Sequence, residues 1–175
     1  MEALDPLVNL TASALRLSAP LILAAMAGIL SYKVGLINIA LEGLMLVGAF
    51  TGVVVGAAAG SALVGLVAAC IAGALIAAAF ALFVTDLRAN LIVAGLAVNI
   101  LAAGGTAYLL QIMLDVRGIY APDTLSAITA VQSPALSNLP VVGKALFSFT
   151  PLVYLAWLSV PLVWLFLYKT PTGKH

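Results

Sequence analysis

Residues 61–84 carry no charged side chain and consist almost wholly of alanine, glycine, leucine, valine and isoleucine. A helix rises 1.5 Å per residue and a bilayer core is about 30 Å thick, so roughly 20 such residues cross it. Lipid offers the backbone no hydrogen-bond partners, so a segment of this kind must satisfy its own amides, as a helix or within a closed barrel. The run is too long and continuous for a barrel strand, whose residues alternate between lipid and lumen. A membrane-spanning helix is what remains.

Four further apolar runs repeat the pattern, at residues 17–31, 36–55, 91–110 and 151–168. The expected fold class is an all-α integral membrane protein: a polytopic helical bundle of about five transmembrane helices in a single transmembrane domain, 1–175. Composition agrees. Charged residues make up 7% of the chain, against roughly 25% in a soluble domain, too few to solvate a globular surface. The net charge of +1 gives neither a basic patch for nucleic acid nor an acidic tail. The amino terminus carries Glu2 and Asp5, unlike the positive start of a signal peptide, so the first run is expected to be retained.

Residues 111–150 form the one long connection, rich in proline, serine, asparagine and aspartate. Within it, residues 140–149 are apolar but too short to cross, and read as an interfacial helix or a re-entrant piece. Lysine and arginine in short loops set orientation. With the amino terminus outside, Lys33, Arg88, Lys169 and Lys174 fall on the cytoplasmic side, and Arg16, Arg117 and Lys144 outside on longer segments. That choice makes 111–150 an extracytoplasmic loop and places the carboxyl terminus in the cytoplasm.

Small residues recur every fourth position. Gly48, Gly52, Gly56 and Gly60 do so in the second run, Gly65, Ala69, Gly73, Ala77 and Ala81 in the third, and Gly95, Asn99, Ala103 and Ala107 in the fourth. Such residues share one helix face, and in lipid close backbone approach is a main source of helix association. The glycines Gly48, Gly52, Gly56, Gly65, Gly73 and Gly95 are the expected packing positions.

Polar residues inside the runs carry the functional interest. Glu42 is the one carboxylate within a span, with Asn38 four residues earlier on what would be the same helix face. A charge at this depth costs at least ~2.5 kcal/mol, so such residues face a bundle interior or a water-filled path. Asn99 lies on the small-residue face of the fourth run. For Asn38, Glu42, Asn90 and Asn99, structural hydrogen bonding and a place along a solute path both remain open. Arg88 is a candidate cytoplasmic anchor that snorkels to the headgroups. Cys70, the lone cysteine, reads as a packed core residue. There is no nucleotide-binding glycine loop, metal-ligand spacing or catalytic constellation, and the one histidine, His175, ends the chain. No enzyme activity, cofactor or metal is expected of this chain. Two function classes that the residues leave open are a proton-coupled secondary carrier using Glu42 and a non-transporting membrane scaffold.

The order Leu15-Arg16-Leu17-Ser18-Ala19-Pro20-Leu21, then Gly35-Leu36-Ile37-Asn38-Ile39-Ala40-Leu41-Glu42-Gly43, then Leu87-Arg88-Ala89-Asn90 with Gly95-Leu96-Ala97-Val98-Asn99, resembles the permease subunit of bacterial ABC importers. The superfamily is that of ribose and branched-chain amino acid permeases, and the nearest branch that of nucleosides and simple sugars. Tyr32 and Leu91 depart from the pattern, which commonly has Glu and Gln there. The resemblance implies a transport subunit of the bacterial inner membrane that does no chemistry on its solute. It implies a second permease subunit, a cytoplasmic ABC ATPase that binds the ATP, and an extracytoplasmic solute-binding protein docking on the long loop. It also implies that Lys169-Thr170-Pro171-Thr172-Gly173 opens the segment leading to the ATPase-coupling region, so that this chain is the front part of a permease.

Overall fold

The computed structural model describes residues 5–122, 125, 128 and 149–170. Among them the regular elements are five helices: α1 (Asp5–Lys33), α2 (Leu41–Ala59), α3 (Ala62–Thr85), α4 (Leu91–Leu114) and α5 (Pro151–Lys169). No strand occurs among the described residues. All five are long and apolar enough to cross a membrane. The shortest, α2 and α5, have 19 residues each, or about 28 Å of helix.

The ends of the helices follow from local chemistry. Asn90 caps α4, its side-chain oxygen accepting from the amides of Ile92 at 3.0 Å and Val93 at 3.2 Å, which supplies two of the first-turn donors. Pro151 opens α5, where its missing N–H costs nothing. At the end of α2, Gly60 turns left-handed at φ +63°. The amides of Gly60 and Ser61 then close on the carbonyls of Ala57 and Gly56, and the chain turns directly into α3.

Two helices differ from the expected runs. α1 begins at Asp5, not near residue 17, because its polar residues do not interrupt it: the Thr11 and Ser18 hydroxyls donate back to the carbonyls of Val8 and Leu15. Arg16 consequently lies within a helix and not in an outer loop. α2 begins at Leu41, not near residue 36, and continues to Ala59. Asn38 therefore precedes the helix and does not share a helical face with Glu42. The other three agree with expectation to within a few residues, α4 running on to Leu114. The expected short helix at 140–149 lies outside the described residues except for Phe149.

The chain divides into two compact units. In the unit formed by Met1–Leu30 and Ile128–His175, Ala19 of α1 packs with Phe149, Val153 and Ala156. The Phe149 ring is fully buried, 5.6 Å from Trp157 in edge-on geometry and 6.2 Å from Tyr154. The Arg16 guanidinium lies 5.8 Å from its centroid, close enough for a cation–π attraction.

In the unit Ser31–Ala127, α2 and α3 form an antiparallel hairpin, and α4 packs parallel to α2 and also touches α3. The hairpin depends on glycine. A Cβ on Gly65 would run into the carbonyl oxygen of Gly52 and approach the Gly56 Cα to 2.9 Å. A Cβ on Gly52 would meet Ala69 and Gly65 at ordinary contact distances, one on Gly56 would come 2.9 Å from Leu125 Cδ1, and one on Gly48 would have only Ala69 near it among the described residues, at 3.9 Å. Around Gly73 nothing lies within 4 Å among the described residues, so the close approach stops short of that position. Cys70 is exposed on α3 and not packed in a core.

Candidate functional site

The site is a break in the chain just before α2. Residues 34–40 leave the helical path between α1 and α2. Gly35 takes φ +81°, a left-handed conformation that glycine adopts without steric cost. Its amide donates to the Tyr32 carbonyl, and that of Leu36 to Ser31, closing the end of α1. Asn38 turns its side-chain oxygen onto the amide of Ala40 at 3.0 Å. An asparagine that satisfies its own downstream backbone in this way competes with helix formation.

Asn99 of α4 completes the break. In a continuous helix the Gly43 amide would donate to the carbonyl of Ile39, four residues back. Here the Asn99 carboxamide stands between them. Its Oδ1 accepts from the Gly43 amide at 2.8 Å, and its Nδ2 donates to the Ile39 carbonyl at 3.0 Å. The partners fix the orientation of the amide, because the flipped form would set donor against donor and acceptor against acceptor. The next rung, Leu44 amide to Ala40 carbonyl, is intact at 3.0 Å. A side chain inserted into the helical ladder is a recognised cause of a break.

Two glycines make room for this insertion. A Cβ on Gly95 would come 2.8 Å from the Ile39 Cβ and 3.3 Å from the Ala40 amide nitrogen. A Cβ on Gly43 would come 2.8 Å from Asn99 Oδ1. The small-residue face of α4 is thus the surface on which the broken segment rests. Ala40 and Gly43 are buried there.

Further along the same faces, α2 and α4 leave a cavity. One part, of 160 Å³, is lined by Leu46, Phe50 and Val53 of α2, Thr106 and Leu110 of α4, and Tyr120. The adjoining part, of 460 Å³, adds Ala103, Ala107, Gln111 and Arg117. Thr106 is the one buried polar side chain among the described residues. Its hydroxyl donates to the Ala102 carbonyl at 2.7 Å, which leaves its oxygen free to accept.

The remaining sequence candidates sit elsewhere. Glu42 is exposed in the first turn of α2, where a carboxylate complements the helix dipole. Asn90 is the α4 cap. Arg88, exposed in the α3–α4 turn, holds φ +52°, an uncommon conformation for a residue with a side chain. The turn is closed by the Leu87 amide on Leu82 and the Ala89 amide on Phe83. The structure therefore brings Asn38, Asn99, Gly43 and Gly95 to one place, with Glu42 beside it, and leaves Arg88 and Asn90 at the end of α4. Sequence reading did not single out the insertion or the cavity residues Phe50, Thr106 and Tyr120. The signal for the break was the glycine and asparagine spaced through Gly35-Leu36-Ile37-Asn38, both common turn formers.

The arrangement offers neutral hydrogen-bonding groups and apolar walls. Among the described residues no group of three or more His, Cys, Asp or Glu is placed to hold a metal.

Comparison with known proteins fits this geometry. The family model described as branched-chain amino acid transport system, permease component, matches residues 10–175. The guanosine ABC transporter permease protein NupQ of Bacillus subtilis (strain 168) is 34% identical, over 99% of this chain and 56% of its own length. The nucleoside ABC transporter permease protein NupC of Lactococcus lactis subsp. cremoris (strain MG1363) is 31% identical, over 99% of this chain and 56% of its own. The chain thus spans little more than half the length of these relatives. No solved structure matches it. The chain belongs to the family of branched-chain amino acid transport system permease components.

Proposed function

We propose that this chain is the membrane-spanning part of an ATP-driven importer and forms part of the path for a nucleoside or simple sugar. The observation that carries the reading is the family match over residues 10–175, and the relatives' names, two for nucleosides and one for glucose, support that solute class. The chain itself performs no chemistry. Its task is to hold a path that opens to one side of the bilayer and then to the other.

In this reading ATP is bound and hydrolysed by a cytoplasmic ABC ATPase, a second permease subunit completes the path, and a solute-binding protein delivers the nucleoside from outside. The amino terminus lies outside and the carboxyl terminus in the cytoplasm, as the positive residues Lys33, Arg88 and Lys169 favour. Asn38, Glu42 and Asn99 lie along or beside the path, and Arg88 anchors the cytoplasmic end of α4. The segment 111–150 is the docking surface for the binding protein. The membrane is the inner membrane of a bacterium.

Reconstituted permease containing this chain, with its ATPase and binding protein, tests the assignment. Guanosine added with the binding protein is expected to stimulate ATP hydrolysis several-fold above the basal rate. Hydrolysis indifferent to nucleosides and sugars alike would remove the assignment and leave a scaffold.

A further inference from the structure

The Asn99 carboxamide occupies the place of one helical hydrogen bond. Its two partners, the Gly43 amide and the Ile39 carbonyl, are donor and acceptor of the same rung, four residues apart. Each is complementary to the other. Remove the carboxamide, and the rung can close directly, winding Asn38, Ile39 and Ala40 onto the front of α2. The distortion to be undone is small: the rung from Leu44 to Ala40 is already formed, and Ala40 sits at φ −76°, ψ 1°. The slack is available at Gly35, where a left-handed φ of +81° has open space around it.

We propose that α2 starts at either of two places and that Asn99 is the positioning residue that selects between them. With the carboxamide inserted, α2 starts at Leu41 and residues 36–40 lie unwound against Gly95. With it withdrawn, α2 starts about one turn earlier. The second state changes what the helix presents. Asn38 and Glu42, four apart, then share one face, and a polar stripe forms next to the cavity bounded by Leu46 and Thr106. Winding also draws the chain off the Gly95 surface. Only a side chain that both donates and accepts can hold the unwound state. Aspartate keeps the bond to the Gly43 amide but sets a second oxygen against the Ile39 carbonyl. Alanine and leucine lose both bonds. The role as a transport switch rests on the importer reading; the two starts of α2 do not.

The test is a distance. Spin labels at Ile37→Cys and Ala58→Cys, in a Cys70→Ser background and in lipid bilayers, span the break and the length of α2. Winding Asn38 and Ile39 to helical rise shortens the span by at most about 4 Å. Asn99→Ala and Asn99→Leu are expected to shift the distance distribution to the short value, Asn99→Asp to populate both values, and Asn99 itself to keep the long one. A second pair, Ala58→Cys with Leu82→Cys, reports on the α2–α3 hairpin and is expected not to move. An unchanged Ile37–Ala58 distance in all three variants would overturn the two-state start. So would a change shared equally by the hairpin pair, which would mean general loss of structure. Absence of nucleoside and sugar uptake by the parent permease with its ATPase and binding protein, with the distance shift intact in the variants, would remove the importer reading and leave the switch standing.

Discussion

Asn99 shows how little energy is needed to decide the course of a backbone in a membrane. Interhelical side-chain hydrogen bonds in lipid average about 0.6 kcal/mol each, so its two bonds contribute roughly 1 kcal/mol. That is a small bias between nearly equal states, as the proposed two starts of α2 require. Glu42 is a different case. It stands exposed in the first turn of α2, outside the hydrogen bonds that Asn38 and Asn99 make at the break. Glu42→Gln is therefore expected to leave the pH dependence of nucleoside uptake unchanged, whatever it does to the rate. A pH dependence that disappears in the variant would instead mark Glu42 as a proton carrier.

At the scale of elements, the hairpin of α2 and α3 is held by backbone proximity and not by interdigitated side chains. Gly65 sits where any Cβ meets the Gly52 carbonyl. Gly65→Leu is expected to force the helices apart at a cost of about 1–3 kcal/mol, read as a lower unfolding temperature in detergent. Gly73→Leu, facing open space, is expected to fall within about 0.5 kcal/mol of the parent. An equal loss at both would mean that the stripe as a whole, and not the contact at Gly65, holds the pair. The five helices were legible because hydropathy over roughly 20 residues is a strong signal. The break before α2 was not. Val34, Leu36, Ile37, Ile39 and Ala40 are apolar, so hydropathy runs through the break without registering it. Asn99 stood out as a polar residue in an apolar span, but its partners are backbone atoms of Ile39 and Gly43, which leave no mark in a sequence. Gly95 read as a generic packing position until the broken segment was seen to rest on it. Cys70 read as core because apolar surroundings in a sequence do not separate lipid from protein.

At the scale of the molecule, the described helices expose apolar side chains along their length, with Leu63, Val67, Ile71 and Leu75 along α3 and Ile100 and Leu101 on α4 all largely exposed. That is the surface of a chain whose solvent is lipid. The aromatic residues of α5 lie towards its two ends, Tyr154 and Trp157 near the start and Trp164 and Tyr168 near Lys169. The arrangement matches the aromatic belts at the two faces of a bilayer. Family membership follows from the match over residues 10–175, while the sequence itself had carried the resemblance on the few polar positions around Asn38, Glu42, Arg88 and Asn99. The central claim is that the permease containing this chain is driven by ATP on a partner and not by an ion gradient. Its most direct test is uptake of labelled guanosine into vesicles holding the permease, its ATPase and its binding protein, with the energy source exchanged. Uptake that requires ATP hydrolysis and survives a protonophore is the predicted result; uptake that persists with the ATPase inactivated and collapses with the proton gradient would contradict it.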